Sequence, residues 1–229
     1  MGLIGNFFGF LGYYNQVRRD EGKAYYWYKK AEKHDMTAAN FQMSYGVLLL
    51  RMGHFEKAKQ LFERLMVFFP RDEKVKDNAK INISMAYWKL GDLDTALERM
   101  TEMHNKLKSS KTYGTLGYLL IDKGDLEEAL KFNMEALDYD DTDPVVLDNL
   151  GQIYYRMGDM DKAFEYFEKA YREKEDQADT LYYLGDIYMQ RGQKEKAREF
   201  LQKALDCNIS ALSTIKREDI EEKMRELTS

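Results

Sequence analysis

Apolar residues recur three and four positions apart along most of the chain, in short stretches separated by turns. The stretch 147–157 is one example, and it ends at a Gly158-Asp159 pair before a second apolar-periodic stretch at 163–170. Residues at this spacing share one face of an α-helix. Glycine accepts the left-handed backbone conformation that ends a helix. The pattern therefore predicts a helical hairpin.

The hairpin pattern repeats along the chain. Alanines recur at spacings of 34, 38, 33, 34 and 34 residues, at Ala24, Ala58, Ala96, Ala129, Ala163 and Ala197. A small residue lies twelve positions before each alanine, at Gly12, Gly46, Ser84, Gly117, Gly151 and Gly185. A turn glycine lies five positions before each, at Gly53, Gly91, Gly124, Gly158 and Gly192, with Arg19 in the first copy. Three series in one register predict stacked hairpins whose small residues lie where helices cross and whose stacking supplies the core.

These residues resemble the tetratricopeptide repeat, in which an aromatic residue or leucine, then Leu-Gly, Tyr, Ala, Phe and Ala follow at fixed offsets within 34 residues. The resemblance implies an all-α fold, a right-handed superhelical solenoid of about six helix-turn-helix repeats. We place the array at 1–211, with repeats at 5–38, 39–72, 77–110, 110–143, 144–177 and 178–211. Copies four to six match best, and four extra residues at Glu73–Lys76 lengthen the second connection.

The last residues follow a different pattern. Ile215, Ile220, Met224 and Leu227 would lie on one side of a charged helix from about 213 to 227. Repeat arrays need a terminal element with a polar outer face. We therefore expect 212–229 to be a C-terminal capping helix.

The resemblance also implies a binding site, because the first helices of successive repeats line a concave groove that holds a peptide. Carried over position by position, the candidate peptide-binding residues are Met43, Val47, Leu50, Asn82, Met85, Trp88, Tyr118, Asp148, Asn149, Gln152, Tyr155, Tyr182 and Asp186. The first-half positions are apolar and methionine-rich, and the second-half positions are tyrosine-lined and acidic. We expect a protein or peptide segment with an apolar anchor and a basic or aromatic stretch.

Two asparagines in this set leave alternatives open. Asn82 and Asn149 both occupy the sixth position of their repeats. In related arrays an asparagine there hydrogen-bonds the backbone of the ligand. An amide has both a donor and an acceptor, so bonding to a neighbouring helix is the other interpretation.

The N-terminal segment from Leu3 to Tyr14 is almost wholly apolar. It is too short to span a membrane, which takes about 20 residues. Burial against the next helix is the expected arrangement. Dimerisation, including a second copy that fills the apolar end of the groove, and shallow membrane docking through residues 3–14 are the alternatives.

Charge and candidate chemistry narrow the function. Residues 110–177 carry 8 basic and 17 acidic side chains, which disfavours nucleic acid as a partner. Cys207 is the single cysteine, and His34, His54 and His104 fall in different repeats, where we expect surface or cap positions. No spacing suits a metal, a cofactor or a catalytic group. We expect a bacterial, cytoplasmic, non-enzymatic scaffold or adaptor that binds proteins or peptides. The alternative is a self-associating or membrane-peripheral scaffold that uses the apolar N-terminal helix.

Overall fold

The computed structural model describes residues 2–227. Within them the chain forms thirteen helices and no strand. The helices are α1 Leu3–Val17, α2 Glu21–Lys33, α3 Ala39–Arg51, α4 Phe55–Phe68, α5 Glu73–Lys89, α6 Leu93–Lys106, α7 Ser110–Lys123, α8 Leu126–Tyr139, α9 Pro144–Met157, α10 Met160–Glu173, α11 Ala178–Gln190, α12 Lys194–Asp206 and α13 Arg217–Glu226. The all-α class predicted from the sequence is confirmed.

Helices join in hairpins within two compact units, Met1–Met103 and His104–Ser229. In the first unit, α1 pairs with α2 and α3 pairs with α4. A Cβ atom at Gly12 would lie 2.6 Å from the ring of Tyr28, and one at Gly46 would lie 2.4 Å from the ring of Phe62. Each ring comes sixteen residues after its glycine. Only glycine leaves room for this approach, so the small residues hold each hairpin closed.

The second unit contains the hairpins α7/α8, α9/α10 and α11/α12, followed by α13. The sixteen-residue relation continues, because a Cβ atom at Gly151 would lie 2.6 Å from the ring of Phe167. Phe167 also stacks on Tyr183 of the next hairpin, with ring centroids 5.0 Å apart. One large residue thus closes its own hairpin and joins it to the next.

Turn residues separate the paired helices as the sequence predicts. Gly158 ends α9 with a positive φ of 84°, and Asp159 begins α10 by accepting a hydrogen bond from the backbone N–H of Lys162. In the first copy Arg19 occupies the turn position and has φ 62°. The first hairpin therefore keeps the left-handed turn without the glycine that adopts it most easily.

The N-terminal helix differs from the expected arrangement. It buries Gly5, Gly9 and Gly12, while most of its large apolar side chains are exposed. A Cβ atom at Gly5 would lie 2.3 Å from the carbonyl oxygen of His34, and one at Gly9 would lie 2.7 Å from the sulfur of Met36. Because α1 lies this close to residues 34–36, only glycine fits at these two positions. Most of the large side chains point away from this contact, and Phe8 is an exception that stacks on Trp27 of α2.

The C-terminal helix is shorter than the range of about 213 to 227 that the sequence indicates. It begins at Arg217 because the preceding residues are held in an irregular conformation. The backbone N–H and the hydroxyl of Thr214 both donate to the carboxylate of Asp179 on α11. Ile215, Ile220 and Leu227 are buried in one cluster with residues of α11 and α12. The segment covers the end of the second unit, with charged residues on its outer side.

Candidate functional site

In the second unit, three first helices lie side by side and are joined by hydrogen bonds. Arg156 of α9 donates from Nη1 to the carbonyl oxygen of Ile121 of α7 at 3.0 Å. Tyr155 of α9 donates from its hydroxyl to Asp186 of α11 at 2.5 Å. Each helix therefore presents its polar side to the same surface as its neighbour.

Four tyrosines mark this surface, which we call the tyrosine face: Tyr118 of α7, Tyr155 of α9, and Tyr182 and Tyr183 of α11. All four are half-buried. Ring centroids lie 5.0 Å apart for Tyr155 and Tyr183, and 5.4 Å apart for Tyr182 and Tyr183. Tyrosine rings of this kind supply apolar contact area together with a polar hydroxyl.

Burial keeps these hydroxyls protonated. It raises the pKa of Tyr118 and of Tyr155, and it raises the pKa of Tyr183 to about 12. The neighbouring carboxylates add to the effect, chiefly Asp122 for Tyr118 and Asp186 for Tyr155. Near neutral pH the tyrosine face therefore offers neutral hydroxyl groups rather than phenolates.

The carboxyls of this surface are largely engaged within the protein. Asp186 is buried and lies 2.8 Å from the ammonium group of Lys223 of α13. Asp148 is buried and accepts hydrogen bonds from Thr180 and Gln152. Burial first, and then the charge of Asp179, raises the pKa of Asp148 to about 7. The surface is therefore less acidic than its residue types indicate.

Asn149 has the second of the two arrangements considered from the sequence. It is buried, and its Nδ2 donates to the carbonyl oxygen of Gly114 at 3.1 Å and to Oδ1 of Asn133 at 3.0 Å. Both amide hydrogens are thus used between hairpins. Asn82 is also buried, and its Nδ2 donates to the carbonyl oxygen of Asn78 at 2.8 Å in its own helix.

The thirteen candidate groove residues divide by accessibility. Six are half-buried and can be reached from solvent: Met43, Val47, Met85, Tyr118, Tyr155 and Tyr182. Seven are buried: Leu50, Asn82, Trp88, Asp148, Asn149, Gln152 and Asp186. The buried residues pack or hydrogen-bond between helices, so the reachable surface is narrower than the predicted one. Peptide binding by any of the thirteen stays a prediction.

In the second unit, the position of His104 differs from the one expected from the sequence, and the sequence analysis did not single out Asn133. His104 was expected at a surface or cap position, but it is buried, with its ring 4.4 Å from that of Tyr113. Burial lowers the pKa of this imidazole. Asn133 is buried where the other copies have Tyr28, Phe62, Met100, Phe167 and Leu201, sixteen residues after the small residue. Asn133 is the one polar residue in this series of apolar residues, and that exception could have identified it from the sequence.

Two other features are not found among residues 2–227. In the part of the chain that the structure describes, no group of three or more His, Cys, Asp and Glu side chains is arranged to hold a metal ion. Between residues 2 and 227, none of the helices is both long enough and apolar enough to cross a membrane.

The stacked hairpins and the tyrosine face define a helical-repeat protein. Residues 108–176 and 144–210 match the family model described as tetratricopeptide repeat. Residues 108–210 therefore carry tetratricopeptide repeats, as the resemblance of the chain implied. A search of curated proteins finds no match.

Solved structures share the fold. A tetratricopeptide repeat protein from Parabacteroides merdae ATCC 43184 is 18% identical, with a TM-score of 0.76, and the alignment covers 97% of this chain and 83% of that one. A thermophilic tetratricopeptide repeat protein of Thermus thermophilus is 22% identical, with a TM-score of 0.66 and coverage of 83% and 99%. A chain of the APC/C hetero-tetramer Cut9–Hcn1 is 18% identical, with a TM-score of 0.68, over 97% of this chain and 39% of that one.

Proposed function

We propose that this protein is a non-catalytic scaffold that binds a segment of a partner protein on the tyrosine face. The observation that carries the proposal is the grouping of four half-buried tyrosines on three adjacent helices. Protein binding is the general role of tetratricopeptide repeats, and one structural neighbour is a chain of the Cut9–Hcn1 hetero-tetramer. The partner of this chain is identified here only by its chemistry.

The rigidity of the tyrosine face supports this function. Hydrogen bonds fix Tyr155 against α11 and Arg156 against α7 before any ligand arrives. A tyrosine side chain has few rotatable bonds, so it provides contact area at a modest entropic cost. A surface ordered in advance loses less entropy on binding.

The charges favour a partner segment that is mainly aromatic or apolar, with some basic character. Asp122 is exposed at the end of α7. Asp148, Asp179 and Asp186 contribute less, because their carboxyls are engaged internally. In the first unit the half-buried Met43, Val47 and Met85 form a separate set of residues that suits an apolar anchor. A cytoplasmic location is consistent with a single cysteine, Cys207.

A library of short immobilised peptides, with one residue fixed per position, tests the proposal. We expect enrichment of aromatic and apolar residues with Lys or Arg. The double variant Tyr118→Ala, Tyr182→Ala should bind the enriched peptides at least about tenfold more weakly, since anchor residues contribute over about 1 kcal/mol each. The matched control is Tyr139→Ala on the second helix α8, where the side chain is 51% exposed.

The control variant should bind as the wild type does, and circular dichroism should show that all variants remain helical. Raising the salt concentration should weaken binding only modestly, because most of the contact is uncharged. The proposal is wrong if no peptide is enriched, or if removing Tyr118 and Tyr182 leaves binding unchanged.

A further inference from the structure

The outer side of α1 is an exposed apolar stripe, and Phe41 of α3 lies along one edge of it, beside Phe10 and Tyr13. The seven large apolar residues of the stripe are 45–85% exposed: Leu3, Ile4, Phe7, Phe10, Tyr13, Tyr14 and Val17. Five of these, at positions 3, 7, 10, 14 and 17, alternate spacings of four and three. That spacing forms the contact seam when two helices pair. We call these seven residues the α1 stripe.

The polar residues of α1 do not interrupt the stripe. Asn6 accepts hydrogen bonds at Oδ1 from the backbone N–H groups of Thr37 and Ala38. Asn15 donates to the carbonyl oxygen of Leu11, and Gln16 accepts from the hydroxyl of Tyr28. From Leu3 to Val17 the helix carries no charged side chain. Between Leu3 and Val17 no charge would therefore repel a second copy. Arg18, the next residue, donates to the hydroxyl of Tyr14 at one end of the stripe.

The repeat register allows the α1 stripe to be compared with the corresponding positions of a later hairpin. Phe7 and Tyr14 correspond to Val146 and Ile153 in α9, which are fully buried. The helix α9 packs against the preceding helix α8, whereas in α1 the corresponding residues Phe7 and Tyr14 are exposed. Two residues of the α1 stripe therefore occupy positions that α9 buries against a neighbouring helix.

We propose that the α1 stripe is the interface of a symmetric dimer, in which the same stripe of a second copy of this chain covers it. An aromatic side chain has about 150–250 Å² of surface. At that size for each of the seven residues, their exposed parts amount to about 600–1,000 Å². One partner of a standard-sized interface contributes about 800 Å². The stripe is thus large enough for a specific dimer.

A lipid surface fits the stripe less well than a second copy does. Helices that lie on membranes carry Lys and Arg along their polar face. No Lys or Arg is present between Leu3 and Val17. The regular seam spacing also suits a helix, because side chains at this spacing fit between those of a facing helix.

Twofold symmetry allows a parallel or an antiparallel pair of stripes, and the two arrangements bring different residues together. In an antiparallel pair that overlaps the whole stripe, Phe10 at its centre lies near the axis and faces its own copy. Leu3 then lies near Val17 of the second copy. It lies about 20 Å from the other Leu3, since a helix rises 1.5 Å per residue.

Sedimentation velocity over a hundredfold range of concentration tests the dimer. The wild type should show the dimer mass, and Phe7→Glu, Phe10→Glu should show the monomer mass. The matched control is Val67→Glu, Phe68→Glu on α4, where the two side chains are 75% and 68% exposed. It should remain dimeric. A wild type that is monomeric throughout overturns the proposal, and so does a control that dissociates equally.

Cysteine cross-linking in a Cys207→Ser background tests the geometry. Phe10→Cys alone should form a disulfide-linked dimer, whereas Leu3→Cys should do so only when combined with Val17→Cys. Efficient cross-linking by Leu3→Cys alone contradicts the antiparallel arrangement. Co-sedimentation with vesicles of neutral or anionic phospholipid is the competing outcome. A monomer that binds vesicles through the same residues would assign the stripe to membranes instead.

Discussion

Asp148 retains its proton to a higher pH than an ordinary carboxyl because the fold surrounds it with protein. Its pKa is raised from 3.8 to about 7, mainly by burial and then by the charge of Asp179. Between these two values the folded chain retains a proton that the unfolded chain releases. Stability from this group therefore falls as the pH rises from about 4 to about 7, and it is constant above that range.

Asp148→Asn should remove this part of the pH dependence. An asparagine has no proton to lose, and its amide can still bond Thr180 and a reoriented Gln152. Urea unfolding at pH 5 and pH 8 checks the prediction. The variant should gain stability relative to the wild type at pH 8, with a smaller gain at pH 5. Asp141→Asn, on an exposed turn, is the control and should follow the wild type. An equal effect of Asp148→Asn at both pH values would contradict this account.

At the residue scale, the sequence shows which positions carry unusual residues, but it does not show what surrounds each of them. The sequence identified Asn149 as special and left two roles open, because an amide can serve a ligand or a helix equally well. Its partner Asn133 lies on a different helix and sixteen positions earlier. The contact depends on how two hairpins stack, which the local pattern does not encode.

At the scale of secondary-structure elements, the two helices of the α9/α10 hairpin pack closely because the ring of Phe167 lies against Gly151. Gly151→Ala should destabilise the protein by about 1–3 kcal/mol, because the added methyl group would lie 2.6 Å from the ring of Phe167. In an open helix the same change stabilises by about 0.5–1 kcal/mol. Gly22→Ala is the matched control, since only Oδ1 of Asp20 lies within 4 Å, at 3.9 Å.

The two substitutions should therefore have opposite signs in thermal or urea unfolding. A stabilising Gly151→Ala would mean that Phe167 moves aside at little cost. Combining Gly151→Ala with Phe167→Leu should recover part of the loss, because the smaller side chain leaves space for the methyl group.

Helix pairs were predictable from the register of small residues, and the orientation of α1 was not. Its glycines and its large apolar residues are both compatible with a helix. The choice of inner face is made by the close approach of Gly5 and Gly9 to residues 34–36. That approach is a tertiary contact, so the apolar run alone suggested burial of the wrong side.

At the scale of the whole molecule the chain contains two compact units, although its repeats run on without a linker. The boundary between Met103 and His104 lies within α6, where the sequence has no break. Repeat spacing alone could not indicate it. The family and the all-α class were predictable, whereas the repeat boundaries stay a prediction.

The unit His104–Ser229 should fold when produced alone, because it contains three hairpins and the closing helix α13. Arrays of at least three repeats are generally stable. Circular dichroism and urea unfolding should show a helical fragment with one cooperative transition. A shorter fragment, 144–229, is the control. It lacks the partners of Asn149 and should be much less stable. An unfolded longer fragment would contradict the prediction.

A chain of near-identical hairpins must also bring the correct copies together. Asn149 bonds Asn133, and at the corresponding positions one repeat later the chain has Tyr183 and Phe167, which stack instead. An asparagine facing an aromatic ring would leave a buried amide without a partner, which costs about 1–3 kcal/mol. The Asn149–Asn133 pair therefore favours the stacking of its own two hairpins over any other pairing of hairpins. Exchanged or skipped hairpins are penalised while the chain assembles.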